Sequence, residues 1–201
     1  MNSRGSPRGS SPGQPSRVSG VVLCGGRSSR MGRDKGLIER NGIQWARIVY
    51  DSLSRILENV IVSIREEQRS AYEKVFSSEV LIADSVDRVH GPMRGLISSF
   101  LKCDTDILLV GCDMPDLGQS LSHLLRFHGE NPDYDCLAYR TTRAEPLCAI
   151  YSKSILTQLR DHPPERFSLE RWLERSRTLF IQADEHQTKE LRNYNEPGPA
   201  V

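Results

Sequence analysis

The chain is 201 residues long, and its 27 Lys and Arg against 26 Asp and Glu give a formal net charge of +1. That near-balance excludes a generic basic coat for nucleic acid. With 37% hydrophobic and 26% charged residues the chain is polar, yet within reach of a packed core. No apolar run approaches the roughly 18 to 20 residues a membrane helix needs, and the N-terminus has no apolar stretch for a secretory signal. A soluble, cytoplasmic protein with neither nucleic acid nor membrane as partner is expected. Cysteines stand at 24, 103, 112, 136 and 148. An odd number without a CxxC pair, in a chain with no export signal, reads as free and mostly buried thiols in a reducing compartment.

The charge is unevenly placed. Residues 1–17 hold Arg4, Arg8 and Arg17, no acid, and otherwise almost only Ser, Gly and Pro. So little apolar surface cannot offset ordering entropy, and a disordered extension over 1–17 is expected. Its Arg- and Ser-rich composition also resembles an organelle transit peptide, but the prolines and glycines oppose an amphipathic helix. Removing those three arginines leaves 24 basic against 26 acidic residues, about −2, for residues 18–201. These are read as a single domain, with two small ones as the alternative.

From Val18 the run Val18-Ser19-Gly20-Val21-Val22-Leu23-Cys24 ends on Gly25-Gly26, as a buried parallel strand would. The loop continues Arg27-Ser28-Ser29-Arg30-Met31-Gly32-Arg33-Asp34-Lys35. Paired glycines let backbone amides approach a ligand, and Ser28 and Ser29 add donors suited to phosphate oxygens. Arg30 and Lys35 bring positive charge, each contributing about 4 kcal/mol against a unit charge at ~4 Å near a surface, before desolvation. The pattern suits a polyanion, although neither GxxxxGK[ST] nor GxGxxG can be read through it. The competing reading is a glycine turn beside solvated arginines.

An apolar face of Trp45, Ile48, Val49, Ile56 and Leu57 marks the first helix, and Val60–Ile64 the next strand. A strand over Val80–Ala83 leads to Asp84, which is either a ligand-facing acid or an exposed turn residue; Asp87 is a weaker candidate. A helix starts near Pro92, a residue the first turn tolerates, and carries Leu96, Ile97, Phe100 and Leu101. The strand Ile107–Val110 then delivers Gly111-Cys112-Asp113-Met114-Pro115. An aspartate at a buried strand's carboxyl end suits Mg²⁺, which takes one or two carboxylates and completes its shell with water and substrate phosphates. The alternative role, capping the helix marked by Leu117, Leu121, Leu124 and Leu125, suits Asp116 better. Cys112 has no activating base among His90, His123, His128, His162 and His186, so packing is its expected role. Those histidines also lack HExxH or comparable zinc spacing.

One more strand is read at Cys136–Tyr139. Alternating strands and helices predict an α/β, three-layer Rossmann-like fold with a mostly parallel central sheet. Ligands in such sheets bind beyond the strands' carboxyl ends, which directs attention to the loops after Cys24, Ala83 and Gly111.

The string LCGGRSSRMGRDKGLIERNG resembles the signature of molybdenum cofactor guanylyltransferases, the MobA-like nucleotidyltransferases, written loosely LAGGxSSRMGxDKxLLxxxG. The likeness continues in Asp84 with Gly91-Pro92-Met93-Arg94-Gly95, beside the family's Asp and GPLAG, where Met93 and Arg94 replace Leu and Ala. Gly111-Cys112-Asp113-Met114-Pro115 is similar to the metal-binding CDMP motif, and Glu145–Tyr151 to a PLxALY strand facing the second substrate. Arg192–Pro197 looks like a shortened FxNxNTPEDL ending, which makes Asn195 a candidate near the metal or pterin. The family's VxANR segment reads Val62-Ser63-Ile64-Arg65 here, so Arg65 or Ser63 stands where an Asn is usual.

The resemblance implies a nucleotidyltransferase fold and a reaction in which the terminal phosphate of molybdopterin attacks the α-phosphate of GTP and pyrophosphate leaves. It implies Mg²⁺ on Asp113, charge stabilisation by Lys35 and Arg30, and nucleotide contacts from Leu23, Cys24, Gly25, Gly26, Lys35, Arg65, Asp84 and Asp113. With no nucleophile–base dyad, catalysis would rest on positioning and charge neutralisation. Molybdoenzymes or cofactor-delivery proteins would be further partners. LCGG follows the guanylyl LAGG pattern, whereas cytidylyl relatives commonly read LAAG. The alternatives are a cytidylyltransferase of the same fold and a catalytically silent nucleotide- or pterin-binding adaptor.

Overall fold

The computed structural model describes residues 18–25, 34–87, 89–131, 133–164 and 168–194. The leader 1–17 lies outside these. In chain order the strands are β1 (Val18–Leu23), β2 (Glu39–Arg40), β3 (Ile43–Gln44), β4 (Val60–Ile64), β5 (Leu81–Ala83), β6 (Asp106–Gly111), β7 (Cys136–Arg140), β8 (Ala144–Tyr151) and β9 (Thr178–Gln182). The helices are α1 (Trp45–Ser54), α2 (Arg69–Tyr72), α3 (Pro92–Cys103), α4 (Gln119–Glu130), α5 (Lys153–Asp161), α6 (Leu169–Arg175) and α7 (Glu185–Glu190).

Seven strands form the central sheet in the order β5-β4-β1-β6-β8-β7-β9. Parallel pairing joins β1 to β4 and β6, β4 to β5, and β7 to β9; only β8 runs against its neighbours. Side chains alternate across the sheet, so one strand feeds two cores. Val22 and Cys24 of the first strand and its exit join Leu108 and Val110 under α1 and α4. Val21 and Leu23 join Ile107 and Leu109 under α3, α5 and α6. Each fully buried Leu, Ile, Val or Phe adds about 1.5–3 kcal/mol, against about 1–2 kcal/mol of backbone entropy per ordered residue. A sheet covered on both faces is therefore what lets these short strands stay ordered.

β2 and β3 form a separate hairpin in which Arg40 pairs with Ile43. Its turn residues Asn41 and Gly42 have φ of 54° and 77°, and such left-handed pairs match the twist of a two-residue hairpin. The hairpin leads directly into α1. All five cysteines are free thiols, buried except for the half-buried Cys103. Among the described residues no helix is long and apolar enough to cross a membrane.

Several sequence expectations shift in detail. The first helix ends at Ser54; Ile56 and Leu57 continue its apolar face from a turn whose N–H groups donate to the Leu53 carbonyl at 3.0 and 2.9 Å. Val80 closes a 3₁₀ turn, and the strand begins at Leu81. Neither Asp113 nor Asp116 caps α4. The helix starts on Gly118, and the Glu190 carboxylate, far along the chain, accepts from Gln119 N (3.1 Å) and Ser120 N (2.8 Å). Asp116 is engaged by Arg40 and Tyr194.

Candidate nucleotide site

The strand order reverses where β1 sits between β4 on one side and β6 on the other, which is where open α/β sheets bind ligands. Leu23 is in register with Gly111. Cys24-Gly25 and Cys112-Asp113 therefore leave the sheet side by side, with Arg65 after β4 and Asp84 after β5 on the same edge.

On the β6 side, Lys35 Nζ donates to Asp113 Oδ2 at 2.8 Å, and both side chains are largely shielded, with 23% and 15% exposure. Two residues drawn from distant parts of the chain, each a candidate site residue in the sequence, thus meet. Their attraction is offset by desolvation, so the pair is a positioned charge couple rather than a source of stability. Asp34 fixes the approach of Lys35. Its Oδ1 accepts from Gly36 N at 3.0 Å and from the Tyr72 hydroxyl at 2.8 Å, and its Oδ2 accepts from Gln68 Nε2. Burial, with the neighbouring Cys24, Cys112 and Asp34, pushes Tyr72 far up, keeping it a neutral donor. Gln68 also donates to the Cys24 carbonyl (3.2 Å) and accepts from Arg65 N (2.7 Å). Its side chain therefore ties the end of β1, the end of β4 and the start of Lys35's turn together. Sequence reasoning missed Gln68 and Tyr72, whose bonds to Cys24 and Asp34 span 34 or more residues.

On the β5 side, a Cβ on Gly25 would sit 2.7 Å from Asp84 Oδ2, with Arg65 Cγ at 3.7 Å. Only glycine admits the Asp84 carboxylate this close to the backbone. Ser63 donates to Asp84 Oδ1 at 2.9 Å, and Asp84 N donates to the Ile64 carbonyl at 2.9 Å. Burial raises the Asp84 carboxyl above its usual range, despite Ser63, Arg94 and Arg65 pulling the other way. Arg94 Nη2 donates to the Asp84 carbonyl (3.1 Å) and to Asp87 (3.0 Å), so Asp87 serves as an exposed partner for Arg94. The Nε atoms of Arg65 and Arg94 are buried without a hydrogen-bond partner. Such orphaned donors at the strands' carboxyl ends are suited to a ligand's acceptors.

Between the two walls, Leu23 and Cys24 present backbone already in use. Cys24 N donates to the Ser63 carbonyl (2.8 Å), and the Leu23 carbonyl accepts from Cys112 N (3.2 Å). Each carbonyl keeps a second lone pair for a ligand's N–H, whereas the Cys24 N–H is already committed to the Ser63 carbonyl. Cys112 is buried, and hydrogen bonding with Cys24 together with burial pushes its thiol well up, the opposite of an activated nucleophile. The expected site residues Gly26, Arg30 and Asn195 lie outside the described residues. Among the described residues, no cluster of three or more His, Cys, Asp or Glu could hold a metal ion.

The model of the MobA-like NTP transferase domain matches residues 20–180, which includes the carboxyl ends of β1, β4, β5 and β6 just described. The chain belongs to the MobA-like NTP transferase family. It is 34% identical over 139 residues to a molybdenum cofactor guanylyltransferase of Campylobacter jejuni (strain RM1221), covering 67% of this chain and 69% of that one. A molybdenum cofactor guanylyltransferase of Yersinia pestis (strain Pestoides F) is 32% identical over 147 residues, covering 72% and 73%. Among solved structures, the molybdopterin-guanine dinucleotide biosynthesis protein A of Archaeoglobus fulgidus superposes with a TM-score of 0.69 over 89% of this chain and 93% of that one, at 21% identity. The mostly parallel three-layer fold expected from the sequence is the one this MobA-like NTP transferase adopts.

Proposed function

We propose that the chain transfers GMP from GTP to the terminal phosphate of molybdopterin, releasing pyrophosphate and forming a guanine dinucleotide cofactor. The single observation that carries this reading is the Lys35–Asp113 pair at 2.8 Å beside the strand-order reversal. It supplies one carboxylate and one ammonium where a triphosphate would lie.

A lone, partly shielded carboxylate fits Mg²⁺, which binds few protein ligands and takes its remaining ones from water and substrate phosphates. It does not fit zinc, which requires three or four protein ligands. Mg²⁺ held by Asp113 would neutralise the phosphates. Lys35 leaves its carboxylate partner for the phosphate oxygens and stabilises charge developing in transfer, a role shared with Arg30 of the glycine loop. Asp84 and Arg65 flank Gly25 and form the nucleoside end of the site. The second lone pairs on the Leu23 and Cys24 carbonyls suit the N–H donors of guanine, and the orphaned Arg65 Nε suits its O6 and N7 acceptors. Cytosine too offers an amine and two acceptors, so the preference for GTP over CTP rests on the likeness of LCGG to the guanylyl LAGG pattern.

The expected result is pyrophosphate release from GTP with Mg²⁺ that requires molybdopterin. A preference for CTP would replace this reading with the cytidylyl alternative, and no release from either nucleotide would replace it with the silent adaptor. Lys35→Ala should lower turnover by on the order of a hundredfold, as loss of a transition-state charge does.

A further inference from the structure

The C-terminal segment grips the Asp113 loop from both ends. Glu190 accepts the N–H groups of Gln119 and Ser120, at the loop's far end, at 3.1 and 2.8 Å. Four residues later, Tyr194 N donates to the carbonyl of Asp113 itself at 2.8 Å. The Tyr194 hydroxyl donates to Asp116, and its ring lies under the Arg40 guanidinium, 5.0 Å from the centroid. Arg40 in turn is ion-paired with Asp116, and the Trp45 ring stands 6.0 Å from that of Tyr194 at 59°. Local bonds in the loop are longer: Met114 N to the Gly111 carbonyl at 3.2 Å, and Leu117 N to the Met114 carbonyl at 3.3 Å. Cys112 N still donates to the Leu23 carbonyl at 3.2 Å, but beyond it no strand partner among the described residues fixes the loop's backbone.

We propose that Tyr194 is a positioning residue that sets the Asp113 carboxylate for its divalent cation. It acts through the Asp113 carbonyl and through the Asp116–Arg40 pair. The inference rests on the assignment of Asp113 as the metal acid and goes beyond it, since nothing in the signature reaches this residue: in the FxNxN pattern Tyr194 occupies an unspecified position. The main-chain bond fixes the rotation of the Asp113 peptide. The ring fixes the segment that makes that bond, wedged between Arg40 of the hairpin and Trp45 of α1. Removing the ring loosens both, and the carboxylate then spends part of its time away from the orientation that holds the cation.

The test measures metal binding directly as well as turnover. MnCl₂ is titrated calorimetrically into GTP-loaded protein, and the MgCl₂ needed for half-maximal pyrophosphate release is measured alongside thermal midpoints. Tyr194→Ala should weaken Mn²⁺ binding and raise half-saturating Mg²⁺ by about tenfold, the scale on which groups supporting a metal ligand act. Tyr194→Phe keeps the main-chain bond, the ring and its Arg40 contact, and should stay within about twofold of the unaltered protein. Asp116→Asn should fall between them. A folded Tyr194→Ala with an unaltered metal constant overturns the proposal, whatever its melting temperature. If Tyr194→Ala does not fold, Asp116→Asn decides on the same constants, and no change overturns it. Unaltered protein that binds no Mn²⁺ in the presence of GTP overturns the metal role of Asp113 and the tether with it. Unmoved constants in the variants overturn the tether alone.

Discussion

Asp84 shows how a single residue can oppose stability at the edge of a candidate site. Burial raises its carboxyl above the usual range, against Ser63 and two neighbouring arginines. A carboxyl whose folded pKa exceeds its unfolded value near ~3.9 favours the fold while protonated, and that contribution is lost as pH rises through the folded pKa. At pH 7 the ionised, desolvated group therefore costs stability. Asn at this position keeps an acceptor for the Ser63 hydroxyl and removes the charge. The Arg94 bond, made to the Asp84 carbonyl, is untouched. Asp84→Asn should raise the thermal midpoint at pH 7 by about 2–4 °C, with the gain disappearing near pH 3. It should also raise KM for GTP by on the order of tenfold as a charged hydrogen-bond partner is lost. A lower midpoint at pH 7 would show that the carboxylate is held favourably, contrary to this account. The sequence exposed Asp84 because it follows an apolar strand. It marked Ser63 only as standing, with Arg65 as the other choice, where an Asn is usual; the Ser63 hydroxyl's bond to Asp84 forms only when β4 and β5 lie side by side.

Among elements, the turn between β4 and α2 contributes most to the site relative to its length. Gln68 is buried and bonds the Cys24 carbonyl, Asp34 and Arg65 N, tying the start of Lys35's turn to the ends of β1 and β4, which the ladder already pairs. Gln68→Ala leaves the Cys24 carbonyl and the Arg65 amide without their partner. It should cost about 1–3 kcal/mol by urea unfolding and lower the affinity for GTP. Wild-type stability would mean that water replaces the amide without loss. The glycine loop stands out in the sequence because its chemistry is local: glycines, hydroxyls and cations crowd into thirteen residues, of which 26–33 lie outside the described residues. Gln68 was not legible, since a glutamine in a polar stretch carries no periodicity. The direction of β8 was hidden for a related reason. An apolar run specifies burial, and direction comes from the short Thr141–Arg143 connection, where Thr141 N donates to the Arg143 carbonyl at 2.9 Å.

At the scale of the whole molecule, the C-terminal helix closes what the N-terminal strand begins. The strand β1 lies inside the sheet, while α7 supplies the cap that α4 lacks: α4 starts on a glycine with no side chain to offer, and Glu190 provides both oxygens. Burial works to raise the Glu190 carboxyl, but hydrogen bonds from Ser120, Gln119 and Gly118 outweigh it and hold the carboxyl below the usual range. The sign of the consequence is opposite to that for Asp84. A depressed folded pKa contributes stability that is complete above the unfolded value near ~4.3 and is lost as pH falls through the folded one. Glu190→Gln, which keeps one acceptor and loses the charge, should cost about 0.5–2 kcal/mol at pH 7. The difference from the unaltered protein should narrow as pH falls below about 4 and close once the folded-state carboxyl is protonated, by urea unfolding at each pH. A difference that stays constant across this range would mean that the carboxylate's charge contributes nothing to the cap, leaving only hydrogen-bond geometry to hold α4 to the C-terminal segment.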